Sequence, residues 1–188
     1  MKQLRVAVLA ALVAAVGSAS GSTLWAADED SAVEVARGQA IVRVNGMVCS
    51  FCAYGAEKAL SEVDGLDRSQ FGDGVLIDTE TRLITLALAP GRDLPIRDVC
   101  DRIVSAGYDP VAVHLRVSGV LSRSEDRLLL RSTSGVTYWL QRGDVADLAP
   151  GTSHDLQVHL DGASIKALSV GSVVAVSVDK RHSPKESV

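Results

Sequence analysis

The sequence has few cysteines, no excess of basic residues and no long hydrophobic run. Its three cysteines, Cys49, Cys52 and Cys100, are too few for a disulfide scaffold, which normally shows an even and denser set. Lysine and arginine number 19 against 23 acidic residues, so the chain lacks the electrostatic footprint of a protein that binds nucleic acid or anionic lipid. It also shows no nucleophile-base pair, phosphate loop or catalytic pair of carboxylates. We therefore expect no enzyme and no nucleic-acid partner.

Residues 1–26 are predicted to be a secretory signal peptide. Lys2 and Arg5 precede an apolar stretch from Val6 to Val16, and small residues follow it. That stretch is about half of the roughly twenty residues that a membrane-spanning helix needs. We therefore expect an exported chain, periplasmic or secreted, without membrane insertion after cleavage. Removal of the peptide would leave 17 cations against 23 acids, which lowers the formal net charge from −4 to −6.

A β-α-β-β-α-β pattern runs through the first half of the exported chain. Ala40 to Met47 alternates as a strand does, and from Cys52 the apolar residues fall at helical spacing. The stretch "VLIDTETRLITLAL" predicts two strands around a polar turn, and Pro95 opens a second helix. Alternation from Val111 predicts a final strand. This α+β order is that of a ferredoxin-like sandwich, with two helices on one face of a four-stranded antiparallel sheet.

Residues 118–180 have the pattern of a small all-β domain. Several short strands at regular spacing, with glycines in the turns between them, predict a barrel or a sandwich, similar to an OB-like barrel. Domain boundaries are therefore expected at 38–117 and 118–180, followed by a polar, disordered tail at 181–188. No linker separates the two halves, because "VAVHLRVSGVL" can form one continuous strand across the boundary.

Cys49 and Cys52 form a Cys-x-x-Cys motif at the predicted strand-to-helix turn. The unpaired N–H groups and partial positive charge of a helix N-terminus favour thiolate over thiol. Two thiolates suit a soft cation such as Cu(I). Structural zinc needs four ligands, and neither a second Cys-x-x-Cys nor a well-spaced histidine pair near this loop supplies them. A thioredoxin-like redox pair remains an alternative, and an oxidising compartment can close the two cysteines as a disulfide.

The stretch "VRVNGMVCSFCAYGAEKALSEVDGL", followed by "IDTETRLITLAL" and "IVSAGYDP", resembles the heavy-metal-associated domain over about residues 39–117. That family includes copper chaperones, the N-terminal domains of copper-transporting ATPases and the periplasmic mercury-binding protein. The resemblance implies that Cys49 and Cys52 bind one Cu(I) or Hg(II) per chain and exchange it with a metal-donor or metal-acceptor protein, such as a transporter or a cuproprotein. It also implies that Met47 supports the loop from the core and that Tyr108 lies in a loop that packs beside the metal loop. Tyr108 could shield the ion there or simply end a helix.

The remaining cysteine and the histidines are expected to be structural. Cys100 falls on the apolar stripe of the second helix, which predicts a buried thiol. His114 alternates with apolar neighbours and is predicted on the solvent face of the sheet. His154 and His159 are predicted on opposite faces of a short strand, which disfavours a metal site between them. We therefore expect an exported soft-metal carrier; the alternatives are an exported thiol-disulfide oxidoreductase and a non-catalytic interaction module.

Two departures from the family pattern concern the surface around the motif. Phe51 is large for a position between the two cysteines, and the segment "LDRSQFGDG" before the second strand is longer than in typical members. Both leave the thiol pair in place, so we expect them to affect the recognition of a partner.

Overall fold

A computed structural model describes residues 33–48, 50–143, 145, 147–168 and 173–182, without the side chains of residues 50, 52, 142 and 143. The predicted signal peptide, Cys49 and residues 183–188 of the predicted tail lie outside these ranges. Within them, no helix combines the length and the apolar character that crossing a membrane requires.

The described residues form eight strands and three helices, and the α+β class is confirmed. The first six elements follow the β-α-β-β-α-β order expected from the sequence. The third helix, α3, was not expected. The elements are β1 (Gln39–Asn45), α1 (Ser50–Ser61), β2 (Val75–Asp78), β3 (Leu83–Ala87), α2 (Ile96–Ser105), β4 (Asp109–Ser124), β5 (Arg127–Ser132), β6 (Thr137–Gly143), β7 (Ser153–Asp161), α3 (Gly162–Lys166) and β8 (Val174–His182).

The N-terminal half is a four-stranded antiparallel sheet in the order β2-β3-β1-β4. The alternation in β1 places Ala40, Val42 and Val44 on one buried face. Helices α1 and α2 bury their apolar stripes against this face, and they contribute Ala56, Leu60, Val99, Cys100 and Ile103 to the same core cluster. Burial of this kind stabilises each apolar side chain by about 1.5–3 kcal/mol, and it fixes the position of the turn between β1 and α1.

The C-terminal half is a closed five-stranded barrel. Its strands follow one another in the order β4-β5-β6-β8-β7, and β7 pairs back onto β4, which closes the circle. All of these pairs are antiparallel except β6 with β8. The sequence predicted a barrel or a sandwich for this half, and closure of the sheet shows that it is a barrel. Its buried interior includes Leu121, Leu130, Tyr138, Leu156 and Val176.

Strand β4 belongs to both halves. It is 16 residues long and crosses the predicted boundary between 117 and 118 without a break, as the sequence suggested. It pairs with β1 at its start and with β5 at its end, while β7 pairs with it from Ala112 to Val120. Buried residues of both halves form one contiguous core cluster. The two halves are therefore one continuous structure rather than two modules on a linker.

Two details of the C-terminal half differ from the expectation. Strand β8 continues to His182, so the predicted disordered tail begins two residues too early. Helix α3 is a single short helix whose N-cap is Asp161, with the carboxylate accepting from the Ser164 N–H at 2.7 Å. The segment after α3 contacts α2, because Arg97 Nη1 donates to the Leu168 carbonyl at 2.6 Å.

Candidate functional site

The Cys-x-x-Cys motif follows β1 directly, and Cys52 lies in the first turn of α1. Cys49 lies outside the described residues, as does the side chain of Cys52, so their predicted pairing around a metal stays a prediction. The chain turns away from β1 at Gly46, whose φ of +88° is a conformation that favours glycine. Met47 follows with 1% exposure and packs in the core, as the family resemblance implied.

Tyr108 lies beside the turn, at the same end of the sheet, directly before β4. Its backbone N–H donates to the Ile103 carbonyl at 3.1 Å, which ends α2, and its side chain is buried. A Cβ placed on Gly46 would lie 3.8 Å from Tyr108 Cδ1, an ordinary contact distance. Asn45 pairs with Asp109, so β1 and β4 hold the two loops together. Tyr108 is therefore a core aromatic beside the turn at Gly46, and shielding of an ion stays a prediction.

Three large apolar side chains beside the motif are exposed. Val48 is 87% exposed, Phe51 92% and Tyr54 67%. Val48 precedes Cys49, Phe51 lies between the two cysteines, and Tyr54 follows Cys52, so the three residues are spaced three positions apart. We call these three residues the apolar collar. Exposed apolar groups that cluster at one place, rather than lying singly, mark interaction sites on soluble proteins.

Cys100 is a free thiol in the core, as predicted. Its side chain packs among buried residues of α2 and is 5% exposed. Burial, and then the negative charge of Asp101, raises the pKa of this thiol to about 12. It is therefore protonated at neutral pH, and the thiol is a poor metal ligand because the thiolate is the ligand form.

The prediction for His114 was wrong. The residue is fully buried instead of lying on the solvent face. Its ring lies 5.7 Å from that of His159 on the neighbouring strand, and its Nδ1 lies 3.6 Å from Asp179 Oδ2. Asp179 Oδ1 accepts a hydrogen bond from His159 Nδ1. Both faces of β4 are covered at this point. The alternation of polar and apolar residues along the strand therefore does not tell which side chains are exposed.

The buried cluster of His114, His159 and Asp179 joins three strands of the barrel. Among the residues that the structure describes, no group of three or more His, Cys, Asp or Glu side chains is placed to hold a metal ion. The structure also does not pair His154 with His159: His154 Nε2 contacts Thr152 Oγ1 at 2.6 Å, while His159 contacts Asp179. The cluster binds β8 to β7 and β4.

We expect the substitution Asp179→Asn to weaken the fold at neutral pH and to have less effect in acid. Burial alone would raise the pKa of Asp179, but hydrogen bonds and charge interactions with His114 and His159 outweigh it and lower the pKa to about 2. Because this lies below the ordinary 3.8, the carboxylate stabilises the fold fully above about pH 4 and loses this effect as the pH falls to about 2. At neutral pH the loss should be about 1–2 kcal/mol.

Urea unfolding at neutral pH and at about pH 2 measures this difference. Asp126→Asn, at an exposed residue in the turn between β4 and β5, is the matched control. It should leave the free energy of unfolding unchanged at both pH values. An Asp179→Asn variant that is as stable as the parent chain at neutral pH would contradict the role of the carboxylate.

Comparisons with known proteins find similarity to two solved structures over part of the chain. No protein-family model matches the chain, and no curated protein matches it. Among solved structures, the CopZ metallochaperone is 26% identical, with 39% of this chain and 98% of that chain covered, at a TM-score of 0.33. Oxidised MerP from Ralstonia metallidurans CH34 is 26% identical, with 37% of this chain and 88% of that chain covered, at a TM-score of 0.31. Both similarities therefore cover less than half of this chain.

Proposed function

We propose that this protein is an exported soft-metal carrier that binds one Cu(I), or one Hg(II), through Cys49 and Cys52. The observation that carries the proposal is the placement of the motif at the start of α1, with exposed Val48 and Phe51 as neighbours. A loop in this position is accessible to a metal donor or acceptor. The proposal agrees with the description of CopZ as a metallochaperone.

The chemistry of the site follows from two thiolates at a helix N-terminus. The N–H groups of the first turn of α1 and its partial positive charge stabilise the thiolate form of both cysteines. Thiolate sulfur prefers soft cations, which favours Cu(I) and Hg(II) over harder ions. Only two ligands leave room for an incoming thiolate. Transfer then proceeds stepwise: an incoming sulfur binds the ion, one outgoing sulfur leaves, and the step repeats.

The surroundings of the motif are proposed to hold it ready for this exchange. Met47 supports the loop from the core, and Tyr108 lies beside Gly46, where the loop begins. We assign both residues a supporting role rather than a role as ligands. The N-terminal half would then be the ferredoxin-like domain of this family, which the sheet order β2-β3-β1-β4 supports. The barrel would be OB-like, which the parallel pairing of β6 with β8 supports.

Anaerobic titration of the reduced protein against a competing chelator tests the proposal. Cu(I) or Hg(II) should bind with a stoichiometry near one, and Zn(II) should compete poorly because it prefers four ligands. Zn(II) binding as tight as Cu(I) binding would contradict a two-thiolate soft-metal site. Catalytic turnover of dithiol substrates by the metal-free protein would instead support the oxidoreductase alternative.

Removal of the two aromatic side chains of the apolar collar should slow metal transfer without weakening metal binding. The double variant Phe51→Ser, Tyr54→Ser deletes two exposed aromatic contacts but leaves both cysteines in place. Buried aromatic anchors contribute about 1–2 kcal/mol each to docking, so we expect transfer to slow by about tenfold or more. The measurement is the exchange of Cu(I) between a loaded, tagged copy of the chain and an unloaded, untagged copy.

Leu76→Ser provides the matched control for the collar. Leu76 is also an exposed apolar residue, at 49%, but it lies on β2 rather than beside the motif. This variant should exchange Cu(I) at the rate of the parent chain. Equal rates in the collar variant and the parent would show that docking does not use Phe51 and Tyr54.

A further inference from the structure

A charged cleft lies between residues 33–37 and the strands β4 and β8. Gln157 of β7 holds this N-terminal segment in place: its Oε1 accepts from the Val35 N–H at 3.0 Å, and its Nε2 donates to the Val33 carbonyl at 2.7 Å. The cleft has a volume of about 740 Å³, within the usual range of ligand-binding sites. Its charged and polar lining residues are Glu34, Arg37, Arg116, Lys180, Arg181 and His182.

The wall of the cleft contains two arginines that share one carboxylate. Asp155 Oδ2 accepts from Arg37 Nη2 at 2.8 Å and from Arg116 Nη2 at 2.9 Å. The Arg116 side chain is 12% exposed and the Asp155 side chain 6%. The carboxylate of Asp155 therefore faces two guanidinium groups in a partly buried environment. An unbalanced charge is unfavourable in free energy there, because it is poorly solvated. Asp155 engages only some of the five N–H donors that each guanidinium has.

The rest of the lining is also charged. Glu34 accepts from Lys180 Nζ at 3.3 Å, which balances one further pair, and Arg181 also lines the cleft. Even without Arg181, three cationic side chains stand against two carboxylates. Acidic residues outnumber basic ones over the whole chain, 23 to 19, so the cleft reverses the overall charge of the protein.

The pKa of His182 is affected by the same positive charges. Burial, and then the positive charge of Arg116, lowers the pKa of His182 below its ordinary value. Its Nε2 is buried, and no partner for this atom is found among the described residues. A buried imidazole nitrogen without a partner is a position that a ligand oxygen can fill.

We propose that this cleft binds a small oxyanion, either a phosphate or a small carboxylate, between Arg37, Arg116 and the end of β8. Guanidinium groups bind the oxygens of both anions through paired N–H donors. Arg116 lies seven residues along β4 from Asp109, which pairs with the end of β1 beside the metal loop. At about 3.3 Å per residue this is about 23 Å, so the oxyanion site is separate from the proposed metal site.

Calorimetric titration of the folded protein at low salt, with inorganic phosphate and separately with citrate, tests this inference. Saturable binding of either probe supports the site, and the tighter probe identifies the natural class of anion. In the double variant Arg37→Gln, Arg181→Gln, Kd should rise about tenfold or more, since hydrogen bonds to charged groups are lost. The fold should survive, because Arg116 still neutralises Asp155.

Two further variants distinguish anion binding in the cleft from nonspecific attraction of anions to the charged protein surface. Glu34→Gln removes a competing carboxylate and should lower Kd by about two- to fivefold, a gain that misfolding cannot imitate. Arg123→Gln changes an exposed arginine near the far end of β4 and should leave Kd unchanged. Absence of saturable binding of both anions overturns the proposal. So does an Arg123→Gln variant that weakens binding as much as the double variant.

Discussion

The substitution Gly119→Ala is expected to destabilise the protein by about 3 kcal/mol or more. A Cβ at this position would lie 2.2 Å from the Arg131 carbonyl oxygen and 2.7 Å from its carbonyl carbon, closer than these atoms can approach. Gly119 pairs with Ser132 of β5 on one side and with His154 of β7 on the other. The backbone has no room to move away, because closure of the barrel fixes both neighbouring strands. Urea unfolding of the variant and the parent measures the loss.

Gly55→Ala is the matched control for this prediction, and it should have the opposite sign. Gly55 lies inside α1, and a Cβ there would meet no atom within 4 Å. Alanine in a helix interior is about 0.5–1 kcal/mol more favourable than glycine, so this variant should be slightly more stable than the parent. If the free energy of unfolding of Gly119→Ala is within about 1 kcal/mol of the parent value, the close contact between β4 and β5 is not as described.

Local patterns in the sequence predicted the elements of the N-terminal half but not the closure of the barrel. The alternation in β1 and the helical spacing in α2 depend on neighbours three or four residues away, and such patterns are visible in the chain. Pairing of β7 with β4 and of β8 with β6 joins residues more than thirty positions apart, as in the pair of Ala112 with Asp161. Nothing in a single sequence fixes these registers. The capping carboxylate of Asp161 was the available local signal for α3.

The position of the Cys-x-x-Cys motif at a strand-to-helix turn could be predicted because its signal is local, whereas the surroundings of the charged groups on β4 could not. Cys49 and Cys52 are close in sequence, and the resemblance to the heavy-metal-associated family rests on the same stretch. His114 was misplaced because alternation assumes that one face of a strand meets solvent, while β4 is covered on both faces. The pairing of Arg116 with Asp155 depends on the register of β7 against β4.

The substitutions Cys49→Ser and Cys52→Ser together should abolish tight Cu(I) binding. Loss of groups that merely orient metal ligands typically costs about 10- to 100-fold in affinity, and the proposal makes these two sulfurs the complete ligand set. We therefore expect a loss of more than about a hundredfold, measured anaerobically by competition with a chelator. Each single variant should retain a weak, one-sulfur interaction, because a serine hydroxyl is a poor ligand for a soft cation.

The substitution Cys100→Ala tests whether Cu(I) binds specifically at the Cys-x-x-Cys motif or at any thiol of the chain. Cys100 is the free cysteine of the described core, and burial keeps its thiol protonated at neutral pH. Its replacement should leave the Cu(I) affinity unchanged and should cost about 1 kcal/mol of folding stability through the loss of buried contacts. A double Cys49→Ser, Cys52→Ser variant that still binds Cu(I) as the parent does would refute the carrier proposal. Such a result, together with loss of binding in Cys100→Ala, would move the metal site into the core, which the burial of that thiol opposes.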